Sequence, residues 1–563
     1  MNRLLRNCLL FSFLYVSFTT VFAQPTSVRG IPAVDSVIVT GRIRNLSARL
    51  YREAPTVLIS RNNILQASRE LVRPAPLNVD GSFRVSLPLI YSQEELYLNY
   101  GRISTAFLAA PGTLSIELNA DSLFTSAVPF QFGGVNAQVN RQFARYKAFE
   151  AAFSDKPDNR KLSDQVSGKN AQDTYNTVLT AYGAAFRQFA VREKPFPLVA
   201  QWVNSINRYN AAGFVYEKAT YENEKLPTSL NDSLRPPDDR MLTAARASAM
   251  NRFAAYATQL LTTAQTNRSA NGLTVRTLSS LLLRYGRNLT EAERTRLQSY
   301  MENNSARASD LRFFDGLIKR SNDTIQRLVT YETLMQRSRD QFDEASVGYI
   351  GAYTLAVALP SLTLDFARLL QDYVQEQIKA TALKQSLNEL YRLEVKDSAR
   401  IRAAVQTLNK AGETARSVEV TPGVFITRDA IGSGSAAFDQ VINSNRGKVI
   451  YVLLTSVLEE SGRQAALDAQ RLRSIYRSRD FALVYLPLPS SDKETWVEFS
   501  VKNNLLGDHL LLTEAQLDDA LSRLRSSNEV SATIINRVGK IVKRNAPLPN
   551  DTEDLRKVLD KNL

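Results

Sequence analysis

The sequence predicts a multidomain chain: an all-β sandwich near the N-terminus, an α-helical middle and an α/β unit at the C-terminal end. Three observations carry this. Between residues 36 and about 132, apolar residues alternate with polar ones and turn pairs recur. From about 136 to 410 the apolar spacing becomes helical. Beyond about 430, apolar runs alternate with helical stretches and end in a hairpin and a helix. The chain has 563 residues, enough for about three or four domains.

The first 23 residues read as a signal peptide. Arg3 and Arg6 form a basic start, Leu9 to Phe18 is apolar, and Val21-Phe22-Ala23 has signal-peptidase spacing, so the mature chain is expected to begin at Gln24. The apolar core is shorter than the roughly 20 residues of a spanning helix. No transmembrane segment is therefore expected in the mature chain. Export places the protein in the periplasm or cell envelope. The only cysteine, Cys8, lies inside this segment without a lipobox and reads as an ordinary residue of a removed peptide. The mature chain is then free of cysteine. Thiol–disulfide exchange needs an attacking thiolate, so it is excluded for that chain acting alone.

The formal charge is +14, or +12 once Arg3 and Arg6 are removed. The basic residues are scattered, the densest group being Arg463, Arg471, Arg473, Arg477 and Arg479 on one predicted helix. A solvated helix face explains that group. Nucleic acid, which calls for a basic face interleaved with aromatics, is not expected as a partner.

Residues 24–135 form the predicted sandwich. Ser36 to Ile43 alternates as a half-buried strand. Asp80-Gly81 signals a hairpin between Leu77–Val79 and Phe83–Leu87. Pro111-Gly112 signals a second turn, joining Thr105–Ala110 to Thr113–Leu118. This spacing predicts a small antiparallel sandwich. Residues 136–410 form the helical region. Met250, Phe253, Ala257, Leu260 and Leu261 share one face of a helix expected to start near Asp238-Asp239. Leu362, Phe366, Leu369, Leu370 and Tyr373 share another, started by Pro360-Ser361. Pro195-Phe196-Pro197 and Pro236-Pro237 break the region into sub-bundles. Trp202 is expected in a helix, as core packing rather than a partner anchor.

Residues 411–563 form the third region. Ser417–Thr427 turns at Pro422-Gly423, and Gly432-Ser433-Gly434-Ser435 reads as a loop. A strand at 447–454 leads into a helix at 460–478. Next come a strand Phe481–Leu486, a helix Lys493–Asn503 containing Trp496, a strand Ala532–Asn536, its hairpin partner Lys540–Lys543 and a helix Asp551–Leu559. Trp496, too, reads as core packing. His509, the only histidine, reads as a structural residue in a loop. With one histidine and no mature cysteine, neither a Ser/His/acid triad nor a transition-metal site is supported. Cofactors are expected to be none.

The run Gly447-Lys448-Val449-Ile450-Tyr451-Val452-Leu453-Leu454-Thr455-Ser456-Val457-Leu458-Glu459-Glu460-Ser461-Gly462-Arg463 resembles the active-site region of TlpA-like thioredoxin-fold proteins, which reads G-K-V-V-L-V-D-F-W-A-T-W-C-G-P-C-R. Gly447, Lys448, Val449, Val452 and Arg463 match. The order of a Gly41-Arg42-Ile43 strand, an Asp80-Gly81-Ser82-Phe83 turn and a Pro111-Gly112 strand start is similar to the β-rich domain that precedes many envelope TlpA-like proteins. The resemblance implies a thioredoxin fold at about 430–563 with a degenerate redox site. Glu459 stands at the attacking cysteine and Gly462 at the resolving one. Leu453 replaces the buried acid. Val530 replaces the cis-proline, so the Glu529–Val530 bond is expected to be trans, since a non-proline cis bond costs about 2.5–4 kcal/mol. Glu459 and Glu460 are read as complements to a helix dipole, in preference to a catalytic acid pair.

Two functions from different classes follow. One is a non-catalytic binding or scaffolding protein of the bacterial cell envelope, holding an extended envelope polypeptide along Asn528, Glu529, Val530 and Ser531. The other is a thiol-disulfide oxidoreductase by family descent. A third reading gives the structural role to the helical middle, with the flanking regions as spacers.

Overall fold

The computed structural model describes residues 36–563 except 68, 101–102, 124, 156, 236–239, 264–272, 287, 304–309, 411–415, 429–432, 477, 489–492, 527–529 and 551. The expected signal peptide with Cys8, Arg3 and Arg6 lies outside the described residues, as do Pro236-Pro237 and Asp238-Asp239.

Eight strands build the first region: β1 (Ser36–Arg44), β2 (Thr56–Asn62), β3 (Glu70–Pro76), β4 (Ser82–Pro88), β5 (Gln93–Tyr100), β6 (Ile103–Ala109), β7 (Gly112–Asn119) and β8 (Phe130–Gly134). They form two sheets, β4-β1-β7-β8 and β3-β2-β5-β6. Val37, Val39 and Ile116 of the first sheet meet Val57, Ile59 and Phe107 of the second in one apolar core. A sandwich is thus present, with two corrections. β1 and β7 pair in parallel, so it is not wholly antiparallel. The Asp80-Gly81 turn forms, with Gly81 at φ 79° and Asn78 N–H bonded to Ser82 O at 2.8 Å, but β3 and β4 belong to different sheets. The turn carries the chain across the sandwich. Pro111-Gly112 does the same between β6 and β7. A turn dipeptide fixes a local reversal, whereas burial on two facing sheets decides the strand partners.

Helices then dominate from Ala137–Ala152 to the long helix Thr381–Lys410. Pro197 is the first residue of the helix Pro197–Glu222, where its missing N–H costs nothing. One short strand, β9 (Met241–Leu242), interrupts the helices and adds in parallel to β5. The next helix, Ala244–Thr263, therefore begins several residues later than expected, and Thr243 Oγ1 accepts from Arg246 N–H at 3.1 Å at its start. The helix after Pro360-Ser361 is Leu364–Gln377. Trp202 is fully buried: its ring stacks on Phe143 at 3.5 Å and its Nε1–H donates to Glu95 Oε2 at 2.8 Å. The core reading holds for this residue.

The helix Thr381–Lys410 touches all three regions. Leu387 and Leu390 sit in the helical core, while Ala404 and Leu408 sit in the C-terminal core. Its Glu389 and Asp397 pair with Arg61 and Arg69 of the first region.

The last region is a seven-stranded sheet. Its strands are β10 (Arg416–Thr421), β11 (Val424–Arg428), β12 (Val449–Thr455), β13 (Phe481–Pro487), β14 (Gly507–Leu511), β15 (Ser531–Ile535) and β16 (Ile541–Lys543), in the order β10-β11-β14-β13-β12-β15-β16. β12 runs parallel to β13 and antiparallel to β15, so the 447–454 and 532–543 segments share one sheet. All seven residues of β12 are buried, because helices cover both faces. Tyr451 and Leu453 face the helices Glu460–Ile475, Lys493–Lys502 and Thr552–Asn562. Ile450 and Val452 face Gly434–Ser444 and Glu514–Leu524.

Three of these elements correct the sequence reading. Gly432 lies outside the described residues, but Ser433-Gly434-Ser435 does not remain a loop: Gly434 opens a helix, and Ser433 Oγ caps it by accepting from Ala436 N–H at 3.2 Å. β14 occupies the expected loop at His509. Glu514–Leu524 is a helix with a Thr513/Gln516 capping box, a signature legible in the sequence.

Candidate functional site

The redox positions of the resemblance gather at the C-terminal end of β12. The strand ends at Thr455, and Glu459 is the N-cap residue of the helix Glu460–Ile475. Glu459 is exposed and makes no side-chain capping bond. Glu460 is 80% exposed and pairs with Arg463, one turn on. Arg463 Nη1 also donates to Val457 O at 2.8 Å, closing the 456–459 loop onto the helix. Glu459 and Glu460 do not form an acid pair in a cleft. Leu453 is fully buried in β12, where the resemblance would place an acid.

Gly462 is closely packed. A Cβ placed on it would lie 2.2 Å from Ser456 O and 2.8 Å from Ser456 N. Both are backbone atoms, which cannot swing aside. Thr455 Oγ1 donates to Gly462 O at 2.7 Å and pins the same approach. The loop backbone thus occupies the space that a second sulfur-bearing side chain would need.

On the neighbouring strand, Leu454 pairs with Ser531, so Val530 lies at this same sheet end. Val530 is half-buried against the core, and Ser531 Oγ lies 2.6 Å from Ser526 Oγ. Asn528 and Glu529, with the Glu529–Val530 peptide bond, lie outside the described residues.

His509 lies elsewhere in this region, fully buried in β14 beside Tyr485. Its Nε2 is 2.8 Å from Leu505 O, which assigns the N–H to Nε2. Nδ1 then accepts from Trp496 Nε1–H at 3.0 Å. Trp496 is fully buried as core, as expected. Burial pushes the His509 pKa down to about 4. The unfolded chain takes up a proton near pH 6.5 while the folded chain does not, so this group's stabilisation is complete above pH 6.5. It is lost as pH falls toward 4, by about 3 kcal/mol in all. Burial raises the Glu94 and Asp508 pKa values, which tilts stability the other way. A comparison with His509→Gln therefore isolates the histidine. Urea midpoints at pH 7.5 and pH 5 should fall further on acidification for the native chain than for the variant. Equal falls would refute the assignment.

A cleft of about 450 Å3 opens at the opposite sheet end, where Lys448, Arg473 and Asp508 line the beginnings of the parallel strands. Asp508 accepts from Asn445 Nδ2–H at 2.8 Å. Among the described residues, no group of three or more His, Cys, Asp or Glu side chains is placed to hold a metal ion. Among them also, no helix is long and apolar enough to cross a membrane.

No family model matches the chain, and no curated protein matches it. Among solved structures it is similar to a protein from Bacteroides vulgatus to which thiol-disulfide oxidoreductase activity is ascribed. The solution structure of that protein is 20% identical over 21% of this chain and 79% of that chain, with a TM-score of 0.19. The crystal structure of a protein from the same organism, with the same activity ascribed to it, is 17% identical over 21% of this chain and 82% of that chain, also at 0.19. A likeness at that score carries no weight for the fold, which rests on the strand order and packing described above.

Proposed function

We propose that residues 411–563 form a thioredoxin-like domain whose redox centre is lost, behind a β-sandwich domain at 24–135 and a helical region at 136–410. In this reading the chain is exported by residues 1–23 to the periplasm or cell envelope. There it acts as a non-catalytic binding or scaffolding protein for extended envelope polypeptides, along the segment Asn528–Ser531.

The observation that carries the reading is the pairing of chemistry and packing at one helix start. No cysteine follows Cys8 in the sequence, and backbone fills the space beside Gly462. A thiolate at a helix N-terminus is what a redox thioredoxin fold needs, and neither the sulfur nor the room for its partner is present. The strand order β11-β14-β13-β12-β15-β16, parallel on one side of β12 and antiparallel on the other, supports the thioredoxin-like assignment.

Two assays test it. In an insulin-reduction assay with dithiothreitol, the purified protein should add nothing to the uncatalysed rate; turnover above it would establish the oxidoreductase reading instead. In a crosslinking pull-down from an envelope fraction, the protein should capture polypeptides, and Val530→Asp with Ser531→Pro should abolish the capture. Capture that survives both substitutions removes the groove from the proposal.

A further inference from the structure

The helical middle contains a cleft distinct from both ends of the C-terminal sheet. It has a volume of about 790 Å3 and is lined from the helices Ala244–Thr263, Asn322–Gln341, Glu344–Ala358 and Leu364–Gln377. That size falls within the roughly 300–1,000 Å3 usual for small-molecule sites. Its apolar lining includes the buried Leu355 and Leu370 and the half-buried Phe366.

Its charge is one-sided. Among the described residues that line it, Arg327 and Arg337 are the charged ones, with no carboxylate. Neither guanidinium has an ion-pair partner among the described residues; Arg327 lies over the Phe366 ring at 5.6 Å. An adjoining cleft of about 630 Å3 shows the contrast. There Lys379 pairs with Glu344 and Arg339 with Glu332, so the cations are already neutralised.

Tyr331 lines both clefts. It is 5% exposed, and its hydroxyl has no hydrogen-bond partner. That hydroxyl is enclosed against Gly351, where an added Cβ would lie 2.6 Å from it, so Tyr331 offers the cleft its ring and not its O–H.

We propose that this cleft binds a small amphipathic carboxylate, its apolar body on Leu355, Phe366 and Leu370 and its negative end held by Arg327 and Arg337. Arginine suits this task because its planar fork meets a carboxylate with two parallel N–H bonds. The inference does not depend on the C-terminal region and goes beyond the function proposed above.

The test uses the full chain and two probes of equal length, dodecanoate and 1-dodecanol, in equilibrium titrations. The native protein should bind dodecanoate saturably and more tightly than the alcohol. Arg327→Gln combined with Arg337→Gln should weaken dodecanoate at least tenfold and leave the alcohol within twofold. Both side chains reach solvent, so the variant should fold, which an unchanged thermal midpoint verifies. Tyr331→Phe, which keeps the ring and removes only the enclosed hydroxyl, should leave dodecanoate within twofold. Absence of saturable binding to the native protein, or equal dodecanoate affinity in the double arginine variant, overturns the proposal.

Discussion

Gly462→Cys is expected to destabilise the C-terminal region by about 2–3 kcal/mol, the upper part of the range for overpacking a filled site. The new Cβ would meet Ser456 O at 2.2 Å and Ser456 N at 2.8 Å. Relief requires the 456–459 loop to back away, which strains the Thr455 bond to Gly462 O and the Arg463 bond to Val457 O. Glu459→Cys supplies the control. That position is exposed and its side chain makes no capping bond, so the change should stay within about 0.5 kcal/mol. Urea unfolding followed through Trp496, in a Trp202→Phe background, reports on this region, because Trp496 lies in its core. Equal midpoints for the two cysteine variants would show that the loop yields freely. The close approach would then place no limit on a second cysteine. The expected inequality means that installing a Cys-x-x-Cys pair here requires rebuilding the loop as well as replacing two residues.

Arg61→Ala should cost more, about 3–5 kcal/mol, the usual cost of leaving a buried charge without its partner. Arg61 is 3% exposed and Glu94 is 0% exposed. Arg61 Nε lies 3.4 Å from Glu94 Oε2, and Arg61 also pairs with Glu389 of the long helix. Glu94 is held in place as well by the N–H groups of Ile90 and Tyr91, which it accepts. Burial raises the pKa of both Glu94 and Glu389, so removing the cation that pairs with both leaves two carboxylates that the site disfavours in charged form, with Arg73 acting on Glu389 alone. The cluster joins β2, β5 and the helix Thr381–Lys410. Its loss should therefore appear in the transition reported by Trp202, which bonds Glu95 of β5. In Trp496→Phe chains, the Trp202 midpoint should drop by that amount, while Arg42→Ala, at an exposed pair, should barely move it. A loss under about 1 kcal/mol for Arg61→Ala would mean that water replaces the guanidinium at no great cost.

Much of the architecture was legible from local signals. The alternation at Ser36–Ile43, the helical faces around Phe253 and Leu370, and the apolar run into β12 each follow from a periodicity that one segment carries by itself. Misses fell where a local signal competed with packing. Gly432-Ser433-Gly434-Ser435 has loop composition, yet Phe438 and Val441 need a face of the sheet to cover, and a helix results. Gly507-Asp508-His509 reads as a loop, yet the gap between β11 and β13 takes a strand there.

The sequence by itself determined where a thiolate can form: no cysteine follows Cys8, and no fold can supply one to the described residues. It also determined the local reversals at Asp80-Gly81 and Pro111-Gly112. Only the tertiary structure decided that these turns cross between two sheets, that β1 and β7 run in parallel, and that Ser456 backbone stands where a side chain on Gly462 would go. The physical reason is range. Periodicity, turns and composition act over a few neighbouring residues, whereas strand partners and close backbone approaches are set by which apolar faces, distant in sequence, bury one another.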